Sequence, residues 1–377
     1  MAAERDTAGF ETDRYPDTPH PREQLRLFGH GEAEKAFLTA VQSNKLHHAW
    51  LISGIEGIGK ATFAYRIARF MVHDSPRALS RATSLDVAAG TGAAAQLAAG
   101  AHPNVRVLKR GLKERIPPKP GGNPEVDYSA DIRVPDVRNV VASLFGHASE
   151  GGRYRVCIVD VADDLNQSSA NALLKTLEEP PAHSLFLVLS HAPQLLLPTI
   201  RSRCRHMALS PLPDDAVRAV IPTLGAKWRT VDPARLDDAV AAGGGSVRRV
   251  LNVLSGNNLA LIQTIGAILS GLPGTDDSAV LQLAETLTKK GADIQVSLFV
   301  DCVQRWAQKM IHDVVSAAPG AAGADYAGGL AQLAEVVSGI DADINRARAY
   351  NLMDLRPMIL KLVGELADAV RRVRSRA

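Results

Sequence analysis

The chain has 377 residues, 46% apolar and 22% charged, with a formal net charge of +3 and a pI near 8.7. That length allows two or three domains with separate cores, and the charge is too mild to mark a nucleic-acid binder, though a local basic patch stays open. No run of ~18 uncharged apolar residues suggests a membrane span, and Cys157, Cys204 and Cys302 form no CxxC pair that would argue for zinc or a disulfide framework.

Residues 1–24 are polar, with no apolar centre. They predict a flexible lead-in, no secretory signal, and the cytoplasm as the default location. Apolar spacing at Ala36, Phe37 and Val41 predicts a helix over 32–44. A strand over His48–Ser53 then leads into GIEGIGKAT and a helix from Thr62 to about Val72, with Phe63, Ile67, Phe70 and Met71 on one face. Residues 75–103 are Ala- and Gly-rich and read as a weak helix with loops. Another strand is expected over 104–109, a Pro- and Gly-rich mobile loop over 110–130, and a helix over 131–145.

The run 155–160 is a continuous apolar strand ending in Asp160, of the kind found in parallel sheets covered on both faces. A helix over 169–179 stops at Pro180-Pro181, and 184–190 forms another buried-type strand. This alternation argues for an open α/β sheet through about residue 210. From Asp214 the pattern is helical: a small block to about Leu254, then a larger all-α block broken by a flexible segment near 317–324. The segment 351–377 carries an apolar stripe of Leu360, Val363, Leu366, Ala367 and Val370 and ends in four arginines, where cations suit a helix C-terminus.

The strongest motif is G-x-x-x-x-G-K, Gly54 to Lys60, set between a strand and a helix. Gly54, Gly57 and Gly59 let backbone N–H groups turn toward phosphate oxygens, and the helix N-terminus adds positive potential. Lys60 would reach the outer phosphates. The alternative is a glycine-rich turn without ligand. A hydroxyl directly after the lysine would ligate Mg²⁺, but that position is Ala61. Thr62, one residue on, is rotated by ~100° around the helix, so metal coordination is expected to be weak or absent. Asp160 is placed to hold an Mg²⁺ shell, or else to cap its loop. Val161 follows it, and valine cannot take a proton from water. Asp163 and Asp164 read as solvated loop charges.

The strings SSANALLKTLEEPPAHSLFLVLS (168–190) and TIRSRCR (199–205), with HHAWLISGIEGIGKATFA and AHPNV in order before them, resemble the AAA+ core of bacterial clamp-loader subunits over roughly residues 25–260. The resemblance implies an α/β AAA+ P-loop core with a parallel sheet over 25–210 (with an insert at 75–130), a small helical lid over 211–256, and an all-α collar for oligomerisation over 257–377. It also implies a hetero-oligomer with motor subunits of the gamma/tau type and a delta subunit. Through that complex it would work with a sliding β clamp and primed DNA of the DNA polymerase III system, and without a membrane. Motor members carry Asp-Glu-x-His at the second anchor; Asp160-Val-Ala-Asp163 lacks both Glu and His, which with Ala61 points to the stator type. On that resemblance ATP would rest at the loop uncleaved. Arg203 would be an arginine finger acting in trans, and Arg248, in GGGSVRRVL, would face the γ-phosphate unless it is a solvent-facing helix arginine. Many relatives carry a four-cysteine zinc module after the first loop helix; residues 75–103 contain no cysteine, so no zinc is expected and a small Ala-rich helix over 84–99 takes its place.

Overall fold

The computed structural model describes residues 13–43, 45–74, 76–115, 126–129, 131–146, 153–256, 258–274, 276–289, 292–317, 328–340 and 356–374. They fall into two compact units, Met1–Arg248 and Arg249–Ala377.

In the first unit, α1 (Gly31–Gln42) buries Phe37, Ala40 and Val41. Ala40, one turn from Phe37, takes the inner place expected of Ala36. Strand β1 (Ala49–Ser53) is buried at every residue, and α2 (Lys60–His73) follows the glycine loop. Then come α3 (Gly92–Ala98), β2 (Val105–Leu108), a hairpin of β3 (Leu112–Arg115) and β4 (Val126–Tyr128), and α4 (Val134–Phe145). The ends of the expected mobile loop are thus antiparallel strands; residues 116–125 lie outside the described residues. Strand β5 (Arg155–Val159), α5 (Gln167–Glu178), β6 (Ser184–Ser190), the single-turn α6 (Pro198–Arg201) and β7 (Arg205–Ala208) complete the α/β part.

Five strands pair in parallel in the order β2-β5-β6-β1-β7. Parallel neighbours need crossovers, and α2, α4 and α5 supply them; all strand C-termini therefore share one edge, where open α/β sheets bind ligands. Both faces are covered, which is why β1 and β6 read as unbroken apolar runs. One face packs Trp50, Ile52, Phe63, Ile67 and Met71; the other packs Leu51, Cys157, Val159, Phe186 and Leu173. The helix α2 is buried nearly all round, not on one face only. Its Arg66 and Arg69 are held by carbonyls of the preceding segment: Arg66 Nη1 donates to Leu25 O at 2.9 Å, and Arg69 Nη2 to Arg22 O at 2.8 Å. Arg66 also pairs with Glu34 and, at 2.8 Å, with Asp86.

Residues 13–24, expected to be flexible, are packed. His20 is fully buried, its Nδ1 accepts from Arg22 N at 3.0 Å, and its ring meets Tyr65 edge-on. Residues 1–12 lie outside the described residues. The expected lid is mostly part of the first unit, as α7 (Asp214–Val220), a turn at Ala226–Arg229 and α8 (Pro233–Gly243). The unit boundary falls inside α9 (Val247–Leu254).

The second unit is helical: α10 (Asn258–Gly271), α11 (Asp277–Leu287), α12 (Asp293–Ala317), α13 (328–340) and α14 (Arg356–Arg374). Ile265, Leu283, Phe299, Val303, Leu333, Leu366 and Val370 share its core. Val363, Leu366, Ala367 and Val370 are inside as predicted, but Leu360 is exposed and Ile359 takes the buried position. Positions 359, 363, 366 and 370 are spaced by three and four and share a face; 360 lies ~100° around the helix from 359. Of the expected break near 317–324, residues 318–327 lie outside the described residues.

Candidate nucleotide site

The sheet brings the loop and Asp160 to one edge. Gly54 follows β1 and Asp160 follows β5, with only β6 between them, so the two lie roughly 10 Å apart at two strand spacings. Three of the loop glycines, Gly54, Gly57 and Gly59, have φ of 147°, 79° and 101°, a region that L side chains avoid. A Cβ at Gly57 would come within 2.4 Å of Arg248 Cβ and 2.8 Å of Arg248 N. Close approach, not only turn geometry, therefore demands glycine there. The contact is a seam: Val247 N donates to Gly57 O at 2.9 Å, Ser246 Oγ to Glu56 O at 2.7 Å, and Arg248 Nη1 pairs with Glu56 Oε1 at 3.3 Å. Arg248 thus meets the loop only through Glu56.

Lys60, the first residue of α2, is 5% exposed and its ammonium donates to Gly54 O at 2.6 Å and Ile55 O at 2.8 Å. Burial pulls its pKa down to about 8, against the opposing charges of Glu56, Asp163 and Asp160. An anion would restore the ammonium's charge and accept the same N–H groups. Asp160 Oδ2 is fully shielded and has no hydrogen-bond partner among the described residues. Burial first, and the Asp13 carboxylate second, push its carboxyl up to about 7, with Lys109 and Lys60 opposing. An orphaned buried carboxyl oxygen one strand from the phosphate loop suits a cation or its water shell. The rest of a magnesium set is missing: Ala61 offers no oxygen, and Thr62 starts the next step round α2. The Asp160 carboxyl, with a pKa pushed up to about 7, is the acid nearest this edge that a cation would meet.

Asp163 is not a solvated loop charge. It accepts from Ser190 Oγ at 2.9 Å, His191 N at 2.8 Å and Ala192 N at 3.1 Å, tying the turn after β5 to the end of β6. The signal available in the sequence was a polar residue closing each buried strand at this edge, Ser53 and Ser190, which the register pairs directly. Asp164 pairs with Arg110 at 3.1 Å, and burial raises its carboxyl to about 6.

Arg203 stands apart from these groups. It precedes β7, and β7 runs parallel to β1 with Arg205 opposite Trp50 and Ala208 opposite Ser53. Arg203 is therefore at the N-terminal edge of the sheet, a strand length (about 15 Å) from its own loop. Its guanidinium is about one-third exposed, with Nη2 on Glu178 Oε1 at 2.7 Å and Nη1 donating to Thr199 O at 3.1 Å. The partner is thus a carboxylate of its own chain, from the LEEPP string. Arg205 is exposed, with its guanidinium over the Trp50 ring, 4.7 Å from its centre. Among the described residues no group of three or more His, Cys, Asp or Glu could hold a metal ion.

A family profile described as "DNA polymerase III, delta subunit" matches residues 29–213. The delta' subunit of DNA polymerase III from Pseudomonas aeruginosa is 36% identical over 200 residues, 53% of this chain and 53% of that protein. That from Escherichia coli is 30% identical over 245 residues, 63% of this chain and 64% of that one. The tau subunit from Salmonella typhimurium is 27% identical over 324 residues, covering 81% of this chain and 46% of that protein. The chain spans about half the length of the curated relatives it matches. The profile match falls within the parallel α/β unit, and the chain is similar to delta' and tau subunits of DNA polymerase III.

Proposed function

We propose that this chain is a delta prime, or stator, subunit of a DNA polymerase III clamp loader. It would help neighbouring motor subunits place a sliding β clamp on primed DNA, holding ATP weakly or uncleaved itself. The observation that carries this reading is the separation of Arg203 from its own loop by a strand length, at the opposite edge of the sheet. A guanidinium there cannot serve in cis. At an edge it can meet charge developing on a γ-phosphoryl group bound by another subunit, where such a finger is worth ~10³–10⁵ in rate. The loop argues the same way: Ala61 supplies no metal oxygen, Val161 no base, and Asp160 is half-protonated near neutral pH. ATP held here would keep its phosphates on Lys60 and the loop N–H groups without an activated water. In this reading residues 211–256 are the lid, 257–377 the collar that joins the other subunits, and no zinc is involved.

Reconstituted complexes carrying Arg203→Ala are expected to lose ~10³-fold or more in ATP turnover at the site that Arg203 meets, while this subunit still folds and assembles. Normal turnover would sink the trans role. A second reading, a motor-type subunit with its own hydrolysis, draws on the meeting of Lys60, Asp160 and Arg248 at one site and on the tau likeness. Steady ATP turnover by the purified chain with clamp and primed DNA would favour it.

A further inference from the structure

The segment ahead of α1 does something no motif announces. Its Asp13 side chain is 3% exposed; Oδ1 accepts from Lys109 Nζ at 2.6 Å and Oδ2 faces His20 Nε2 at 3.1 Å. Lys109 continues β2, and Asp160 N donates to Leu108 O at 2.8 Å, so Asp13 is anchored beside the strand end that carries Asp160. Four residues later the same segment is bound to the helical part of the unit. Trp228 Nε1 donates to Asp17 O at 3.2 Å, Lys227 pairs with Asp17 at 2.8 Å, and the Tyr15 ring meets Trp228 edge-on at 6.4 Å. The Arg248 guanidinium lies 6.0 Å from the Tyr15 ring centre. Between the anchors the chain closes on itself, Arg14 Nε donating to Thr18 O at 2.7 Å and Thr18 Oγ1 to Tyr15 O at 2.8 Å.

We propose that residues 13–18 are a strap that joins the sheet edge to the helical segment across the mouth of the phosphate loop, and that it must lift before a nucleoside triphosphate settles there. The proposal rests on reading 54–62 as a phosphate loop. Asp160 and Arg248 are the side chains that would flank the outer phosphates, and the strap touches the surroundings of both. Asp13 sets a negative charge next to Asp160, where a γ-phosphate would bring several more. The Tyr15 ring, 6.0 Å away, borders the Arg248 guanidinium that would be offered to phosphate. A bound nucleotide would bridge core and helical segment; here the chain makes that bridge from its own residues. The two bridges exclude each other by charge and by occupancy, and an equilibrium that favours the strap weakens apparent nucleotide affinity by the strapped fraction.

The test uses the full chain and a fluorescent ATP analogue without added Mg²⁺, comparing wild type with Asp13→Asn/Tyr15→Ala, and with Tyr15→Ala alone should the double variant lose its fold. Hydrogen exchange at 13–20 and 225–230 is read on the same samples. Exchange is expected to rise in both stretches together, and the analogue to bind about tenfold tighter, as when a competent fraction near one-tenth is made dominant. The strap idea is overturned if 13–20 exchanges faster while 225–230 does not change, or if affinity stays level or falls. It is equally overturned if neither protein binds the analogue. Lys60→Ala in each background separates the two ideas. Binding that survives it contradicts the phosphate-loop reading alone, since paired exchange still reports the bridge.

Discussion

Replacing Asp160 by Asn changes little in shape and removes a buried charge. The carboxyl moves from an ordinary 3.8 to about 7, a little over three units at 1.36 kcal/mol each, or about 4 kcal/mol for a wholly shielded group. Only Oδ2 is fully shielded while the residue keeps some exposure, so solvent screening leaves about 2 kcal/mol. Because the folded pKa is raised, the folded chain keeps a proton that the unfolded chain has released between pH ~4 and ~7. Wild-type stability therefore falls as pH rises through that window, and the full penalty stands above it. Asn has no proton to lose. Urea unfolding of nucleotide-free protein at pH 5 and pH 8 is expected to show Asp160→Asn ahead by about 2 kcal/mol at pH 8 and by clearly less at pH 5. A gap of the same size at both pH values would refute the shifted carboxyl, and with it one of the reasons for expecting weak magnesium binding.

Ala61→Thr restores a hydroxyl after Lys60; nucleotide binding is expected to become Mg²⁺-dependent and severalfold tighter, with no turnover because Val161 remains, as titration with and without Mg²⁺ and a phosphate-release assay would report. Gly57→Ala places a Cβ 2.8 Å from Arg248 N on a backbone with φ of 79°. It should cost about 1–3 kcal/mol in thermal or urea unfolding and weaken nucleotide binding, whereas Gly59→Ala, whose Cβ would meet only Leu27 Cδ1 at an ordinary 4.0 Å, should show only the backbone strain. Asp163→Ala removes three hydrogen bonds at the edge and should cost about 2–3 kcal/mol, with faster amide exchange at His191 and Ala192.

Much of this molecule is written locally in the sequence. Strands buried on both faces need continuous apolar residues, so 155–159 and 184–190 announce themselves. A turn between a buried strand and a helix at positive φ needs glycine, so the backbone of Gly54–Lys60 is legible from spacing alone, as is the lack of a hydroxyl at Ala61. A helix with one buried stripe is legible too, though only to within a residue, as Ile359 in place of Leu360 shows. What the sequence could not hold is which distant groups share an electrostatic environment. That Asp163 ties β5 to β6 and that Arg203 lies a strand length from its own loop follow from strand order and parallel register; that Asp13 meets Lys109 and Tyr15 meets Trp228 follows from packing across long stretches of chain. Such pairings depend on contacts between residues far apart in the chain, and burial at those contacts, not residue type, moves Asp160 and Lys60 away from their ordinary protonation.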